Sequence, residues 1–128
     1  MSLVKAIHHV KLKCTKDTFE AVFHFYAEVL GIQVLAKHED CAILDTGSGI
    51  FEIFNDAEQL HGTGDFAHVA FFVESVDEAV ETVEKAGYKI KEYPVNVMFD
   101  RGVPTPARLA FCYGPIGEEI EFFQWRES

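Results

Sequence analysis

The sequence predicts an α+β fold built from two copies of one βαβββ module. Three observations carry this. His9-Val10 early in the first half is matched by His68-Val69 early in the second, and Glu52 in Ile50-Phe51-Glu52-Ile53-Phe54 is matched by Glu121 in Glu119-Ile120-Glu121-Phe122-Phe123. In each half the apolar period runs from two residues to about 3.6 and back to two, the order of a strand, a helix and further strands. Glycine turn signals, Gly47-Ser48-Gly49 and Gly114-Pro115-Ile116-Gly117, precede the last apolar run of each half.

Residues 7–14 alternate: Ile7, His9, Lys11 and Lys13 share one face, and His8, Val10, Leu12 and Cys14 the other. A helix follows, with Phe19, Val22, Phe23, Tyr26 and Leu30 as its apolar stripe. Asp17 with Glu20 resembles a capping box, and Gly31 is placed to stop the helix. Strands are expected at residues 33–36, 42–45 and 50–54. In the second half residues 66–73 read as a strand. Ser75-Val76-Asp77-Glu78 then opens a helix with Val76, Ala79, Val80 and Val83 on one side, ended by Gly87. Strands are expected at 89–92, 108–113 and 119–124, with residues 93–107 as a Pro-containing excursion. The repeats span about 5–56 and about 65–126, within one domain of 128 residues. Residues 56–65 read as the linker.

Each half has roughly 60 residues, marginal for an independent core. The halves are therefore expected to pack together or with a second chain, and a homodimer is the expectation. The 48% apolar content and 12 Phe exclude a disordered chain. A net charge of −10 argues against nucleic acid or an anionic membrane as partner. Cys14, Cys41 and Cys112 have no C-x-x-C spacing, so they read as structural thiols in a reducing cytoplasm. No 18-residue apolar stretch or signal-peptide pattern is present, so no membrane span is expected.

Two His and two Glu in matching places point to one divalent-metal site. Each sits on a strand whose alternate residues are apolar and face a helix, so the ligand face must look into a cavity or solvent. Neutral imidazoles and carboxylates suit nickel, cobalt, zinc, manganese or iron, and two Glu cancel the charge of a dication. The remaining coordination positions are then open to water or substrate oxygens. For any one of these residues a half-buried His or a solvated Glu is the plainer reading; their repetition favours the site. His8, His24, His38 and His61 match no repeat and read as non-ligands. Glu119 is the nearest decoy, expected at a solvated rim. Lys11, Lys13, Arg101 and Arg108 are candidate contacts for an anionic substrate group, with a solvated face as the equal alternative.

At this point the chain resembles the vicinal oxygen chelate superfamily, and within it glyoxalase I (lactoylglutathione lyase). The elements are His9-Val10-x-Leu12, Phe25-Tyr26-x-x-x-Leu30-Gly31, Phe51-Glu52-Ile53, Ala67-His68-Val69-Ala70 with the Ser75 helix, and Gly117 followed by Ile120-Glu121. The resemblance implies two βαβββ modules forming a curved, barrel-like sheet around a metal cavity, the glyoxalase/bleomycin resistance/dioxygenase fold. It implies His9, Glu52, His68 and Glu121 as ligands of one ion, nickel, cobalt or zinc. The implied reaction is a proton shift next to a carbonyl, on the hemithioacetal of a 2-oxoaldehyde and a thiol. Glu121 is the first choice as base and Glu52 the second, with Phe54, Phe72 and Phe123 as an apolar wall. The alternatives are a metal-free, antibiotic-sequestering binding protein, an acyl-coenzyme A epimerase, or a dioxygenase. Dioxygenases of the superfamily usually take three ligands, equivalent to His9, His68 and Glu121, so Glu52 favours the lyase branch. Three departures stand out. The chain is about two residues longer between His9 and Phe25, Val22 stands where a small residue is usual, and Gly114-Pro115-Ile116-Gly117 replaces the familiar Asp-Pro-x-Gly. Lys13 lies where a substrate-binding Arg is expected.

Overall fold

Strand β1 (His9–Lys13) leads into a short helix α1 (Phe19–Phe23), and three strands follow: β2 (Gln33–Lys37), β3 (Cys41–Asp45) and β4 (Ile50–Phe54). The second half repeats the order with β5 (Val69–Phe72), α2 (Val76–Lys85), β6 (Ile90–Phe99), β7 (Thr105–Tyr113) and β8 (Glu119–Trp125). This computed structural model describes residues 7–60, 67–99 and 104–127. The chain divides into two compact units, Met1–Leu60 and His61–Ser128. Each holds one four-stranded mixed sheet, ordered β1-β4-β3-β2 and β5-β8-β7-β6.

In the first unit β1 runs parallel to β4 and β3 antiparallel to it. Alternation then buries Phe51, Ile53, Ala42, Leu44 and Cys14 on one face. Against that face lie Phe19, Val22, Phe25 and Tyr26, all buried. Tyr26 rests on Phe51, with ring centres 4.5 Å apart. The expected helical stripe is corrected here. After Phe23 the helix widens into a π-helical segment (His24–Val29), in which Leu30 N–H donates to Phe25 O at 2.9 Å. The wider turn rotates the following residues, so Phe25 is buried and Phe23 is only half-buried. The expected Asp17 cap is also corrected. Thr18 is the N-cap, and its hydroxyl closes a turn with Thr15, accepting from Thr15 N–H at 3.1 Å and donating to Thr15 O at 3.1 Å. Gly31, at φ 74°, ends the helix as expected.

In the second unit the Ser75 cap is observed: its hydroxyl accepts from Glu78 N–H at 3.1 Å. A second acceptor comes from β8, where Gln124 Oε1 takes Val76 N–H at 2.6 Å. Val76, Val80 and Val83 are buried, and α2 packs on β6, β7 and β8. Burying three such side chains stabilises the layer by roughly 1.5–3 kcal/mol each. The excursion expected at 93–107 is largely strand. Strands β6 and β7 pair as far as Phe99 and Thr105, with register shifts between Ile90 and Glu92 and between Glu92 and Val95. Pro94 falls inside the second shift, where the irregular ladder does not require its missing N–H.

Of the expected linker, residues 56–60 lie outside any helix or strand. His61 and Arg101 fall outside the described residues. No helix among the described residues is long and apolar enough to cross a membrane.

Candidate functional site

The parallel strand pairs place the His and Glu of each unit. In the first, Lys11 pairs with Glu52. In the second, Ala70 pairs with Glu121. Each Glu therefore stands opposite the residue two past the His, and two residues along a strand is the same face. His9 and Glu52 share the face of the first sheet away from its helix, and His68 and Glu121 share the equivalent face of the second.

The second unit brings its pair together. His68 Nε2 lies 2.8 Å from Glu121 Oε1. Phe111, paired with Glu121 across β7 and β8, sets its ring edge-on to the imidazole with centres 5.1 Å apart. Glu121 is only 8% exposed. Burial pushes its carboxyl above the usual carboxylate range, while His68 pulls it back and Glu92 adds to the rise. The sequence missed Phe111 and Glu92; Phe111 stands in register opposite Glu121, and Glu92 opposite Phe111 one strand further out.

The first unit is more open. The exposed His9 ring turns to His8, with Nδ1 atoms 3.1 Å apart, and the two rings meet edge to face. His8 is exposed rather than turned under the helix. Glu52 is half-buried between Lys11 and Ile43. Lys11 Nζ lies 3.9 Å above the Phe54 ring, and Lys13 reaches Asp56 at 3.5 Å. Cys41 shares this face. Burial raises its thiol above the ordinary range, with Asp40 next and Glu52 adding to it.

Several weaker candidates are resolved. Glu119 pairs with Lys91, His24 with Glu28, and His38 lines an open groove with Lys16, Phe19, Glu20 and Lys37. Arg108 lies on the helix side, where Nε and Nη2 donate to Asp77 at 2.9 and 2.8 Å and Nη1 donates to Asn96 at 2.8 Å. None of the three cysteines, all among the described residues, is in a disulfide. Buried Cys112 is pushed up to about 12 by burial and then by Glu118, which makes it inert.

The turn before β8 explains one departure from the family pattern. Its counterpart in the first unit is conventional: Asp45 Oδ1 accepts from Gly47 N–H at 2.8 Å. Asp45 stands to Gly114 as Glu52 stands to Glu121, an offset of 69 in both cases (114 − 45 and 121 − 52). Gly114 has no side chain to give, and the buried Glu118 supplies the carboxylate instead. Its Oε1 accepts from Ile116 N–H at 3.0 Å, again the residue two past the turn's start. A Cβ at Gly114 would run into that carboxylate.

Among the described residues no three His, Cys, Asp or Glu side chains stand together as a metal-holding group. The fit of a metal is therefore judged on the pair that does meet. An imidazole nitrogen and a carboxylate oxygen bound cis to one ion, each at about 2.1 Å, lie about 3 Å apart. The His68–Glu121 separation of 2.8 Å requires little movement to reach that.

Two mixed sheets, each from a βαβββ module with a His–Glu diagonal on its parallel strands, define a class of domain. The chain belongs to the Glyoxalase/Bleomycin resistance protein/Dioxygenase superfamily, whose model matches residues 6–122. A glyoxalase/dioxygenase from Nostoc punctiforme has the same fold at 20% identity and a TM-score of 0.76, over 96% of this chain and 92% of that one. Lactoylglutathione lyase from Agrobacterium tumefaciens matches at 19% identity and a TM-score of 0.68, over 94% of each chain. A glyoxalase/bleomycin resistance protein/dioxygenase from Alicyclobacillus acidocaldarius matches at 13% identity and 0.70, over 94% of this chain and 92% of that one. No curated protein sequence matches the chain significantly.

Proposed function

We propose that this chain is a metal-dependent lyase or isomerase of the glyoxalase I type, acting on the hemithioacetal of a 2-oxoaldehyde and a thiol. The observation that carries the reading is the repeated diagonal: His9 with Glu52 and His68 with Glu121 hold equivalent positions on equivalent faces. We assign all four residues to one divalent ion, nickel, cobalt or zinc. Such an ion supplies Lewis-acid polarisation of the substrate's oxygens. Glu121 is the base. It takes the proton from the carbon bearing the sulfur and hydroxyl groups and returns one to the neighbouring carbonyl carbon, while the hydroxyl proton passes to the former carbonyl oxygen, so that a hemithioacetal becomes a 2-hydroxy thioester with no change in composition. Its shielded position beside Phe111 favours this role over the half-buried Glu52. Phe72 and Phe123, beside it on the same face, keep water from the reacting carbons. A homodimer belongs to the reading, supported by the small size of each module, as does a cytoplasmic setting, supported by three cysteines, an odd number, without C-x-x-C spacing.

The experiment is to strip the purified protein with a chelator, restore nickel, cobalt or zinc singly, and measure metal content and turnover of methylglyoxal with a panel of thiols. Turnover is expected to vanish on stripping and return with about one ion per chain. Ligand binding by stripped protein, with no thiol adduct turned over by any metal form, would instead establish a metal-free binding protein.

A further inference from the structure

Strands β2 and β6 carry the same irregularity at the same place. On β6, Ile90 pairs with Cys112 and Glu92 with Phe111, so Lys91 is one residue too many. On β2, Val34 pairs with Leu44 and Ala36 with Ile43, which leaves Leu35 over. Each is a β-bulge, two residues set against one, which re-aims the side chains it carries. The residues facing the two bulges correspond as well: Ile43 pairs with Glu52 as Phe111 pairs with Glu121.

What the bulges carry differs. Lys91 Nζ donates to Glu119 Oε1. These residues are on strands that are not neighbours, because β7 lies between β6 and β8. Strands in a sheet run about 4.8 Å apart, so the Lys91 side chain must cross β7 to make the contact. It crosses beside Phe111, with Nζ 5.9 Å from the ring centre and within reach of a cation–π attraction. The same ring meets the His68 imidazole edge-on at 5.1 Å, and His68 Nε2 meets Glu121 at 2.8 Å. All of these residues belong to the second unit. In the first module the counterparts of Lys91 and Phe111 are Leu35 and Ile43. The counterpart of Glu119 is Ile50, at the offset of 69 that relates Glu52 to Glu121 (119 − 50 and 121 − 52). No charged strap can form there, and the His9 ring turns to His8. The Lys91 side chain is 45% exposed, and an ion pair that open adds little to stability. What it supplies is orientation, to which a reacting site is far more sensitive.

We propose that Lys91 and Glu119 are positioning residues: their ion pair straps the Phe111 ring in place, and that ring holds the His68 imidazole in the orientation that meets Glu121. This deepens the lyase reading and rests on it only for the catalytic consequence.

The test compares Lys91→Met, which keeps the stem and loses the charge, with Lys91→Arg, which keeps both, and with Glu119→Gln. In metal-free protein, nuclear Overhauser contacts between the His68 and Phe111 rings report the orientation. They are expected to weaken in Lys91→Met and Glu119→Gln and to persist in Lys91→Arg, with the Tm unchanged in all three. Cobalt affinity of the same samples should fall about tenfold in the first two, the lower end of what partners behind a metal ligand contribute, and be restored in Lys91→Arg. With cobalt saturating, kcat should fall about as far while KM stays within about twofold. Phe111→Leu should show the same loss of cobalt affinity, and Lys91→Met should add nothing to it, since both act through one ring. Unchanged ring contacts and cobalt affinity in Lys91→Met would overturn the proposal, and the lyase reading would stand wherever turnover persists. A KM that rises while ring contacts and cobalt affinity stay intact would make Lys91 a substrate contact and overturn it too. So would equal losses in Lys91→Met and Lys91→Arg with a lowered Tm, which would reduce Lys91 to packing. Ring contacts and cobalt affinity that respond as expected, with no thiol adduct turned over by any metal form, would support the strap and sink the lyase reading.

Discussion

The two modules place their His and Glu by the same strand register and then surround them differently. In the second, His68 and Glu121 are in contact and the carboxylate is almost wholly shielded, with small Ala70 opposite it and Phe111 alongside. In the first, Lys11 stands opposite Glu52 where the second has Ala70, and the His9 ring turns to His8. The neighbouring face is charged in the first module, with Lys11, Lys13 and Asp45, and aromatic in the second, with Phe72, Phe123 and Trp125. Topology delivers an imidazole and a carboxylate twice. The residues beside them decide which carboxylate loses its water, and on the proposed reading that difference separates a base from a simple ligand.

The sharpest way to break the comparison is to neutralise each carboxylate in turn. Glu121→Gln keeps an oxygen donor but cannot accept a proton. Turnover is expected to fall by about 10²–10⁴-fold, with metal content largely retained. Glu52→Gln should cost less in kcat, its loss tracking metal occupancy. Rate and metal content are measured on the same samples. Full activity of Glu121→Gln at full occupancy would move the base to Glu52.

The two turns offer a second test, on stability. Gly114→Asp restores the usual family residue but drives its Cβ into the Glu118 carboxylate, an overpacking expected to cost about 1–3 kcal/mol. Glu118→Ala removes the acceptor of the half-buried Ile116 N–H and should cost about 0.5–1.5 kcal/mol, the net contribution of one hydrogen bond. In Gly114→Asp combined with Glu118→Ala the aspartate can take over the turn, as Asp45 does in the first module. The double variant should recover stability, with a coupling of about 0.5–3 kcal/mol in a denaturation cycle. Strictly additive losses would show that the two turns are not equivalent.

The smallest effect lies on the helix side of the second module, where Asp77 takes a two-point contact from Arg108. That contact, the hydrogen bond first and charge attraction after it, holds the Asp77 carboxyl below its ordinary value. A depressed carboxylate stabilises the fold above its unfolded pKa, and the contribution is lost as pH falls through the lower folded value. Asp77 is largely exposed, so solvent screening limits the effect to about 0.2–1 kcal/mol. Asp77→Asn should lower the Tm slightly at neutral pH and remove part of the acid-side slope. Identical pH profiles for the two proteins would mean that the contact contributes nothing.

Much of this was legible in the sequence because it rests on short-range periodicity. Alternation placed His9, Glu52, His68 and Glu121 on the faces away from the helices, and the β2, β3, β4 and β8 boundaries fall within a residue of expectation. The Ser75 cap and the Gly31, Gly87 and Gly117 turns could be read because a cap bond or a positive φ involves residues only a few positions apart. By itself, then, the sequence determined the two-module fold, the face of each candidate ligand and the resemblance to the superfamily. Tertiary structure decided what depends on distant partners. Strands β6 and β7 continue through a Pro-containing stretch because each supplies the other's ladder, which local propensity does not see. The π-helical turn buries Phe25 in place of Phe23, setting its ring against Tyr26, which in turn rests on Phe51 of the facing sheet. Arg108 turns to the helix side because Asp77, 31 residues away in sequence, meets it there. Glu118 reaches back over the turn because Gly114 leaves the space. Periodicity settles which way a side chain faces; what it then touches is set by chain segments brought near only by folding.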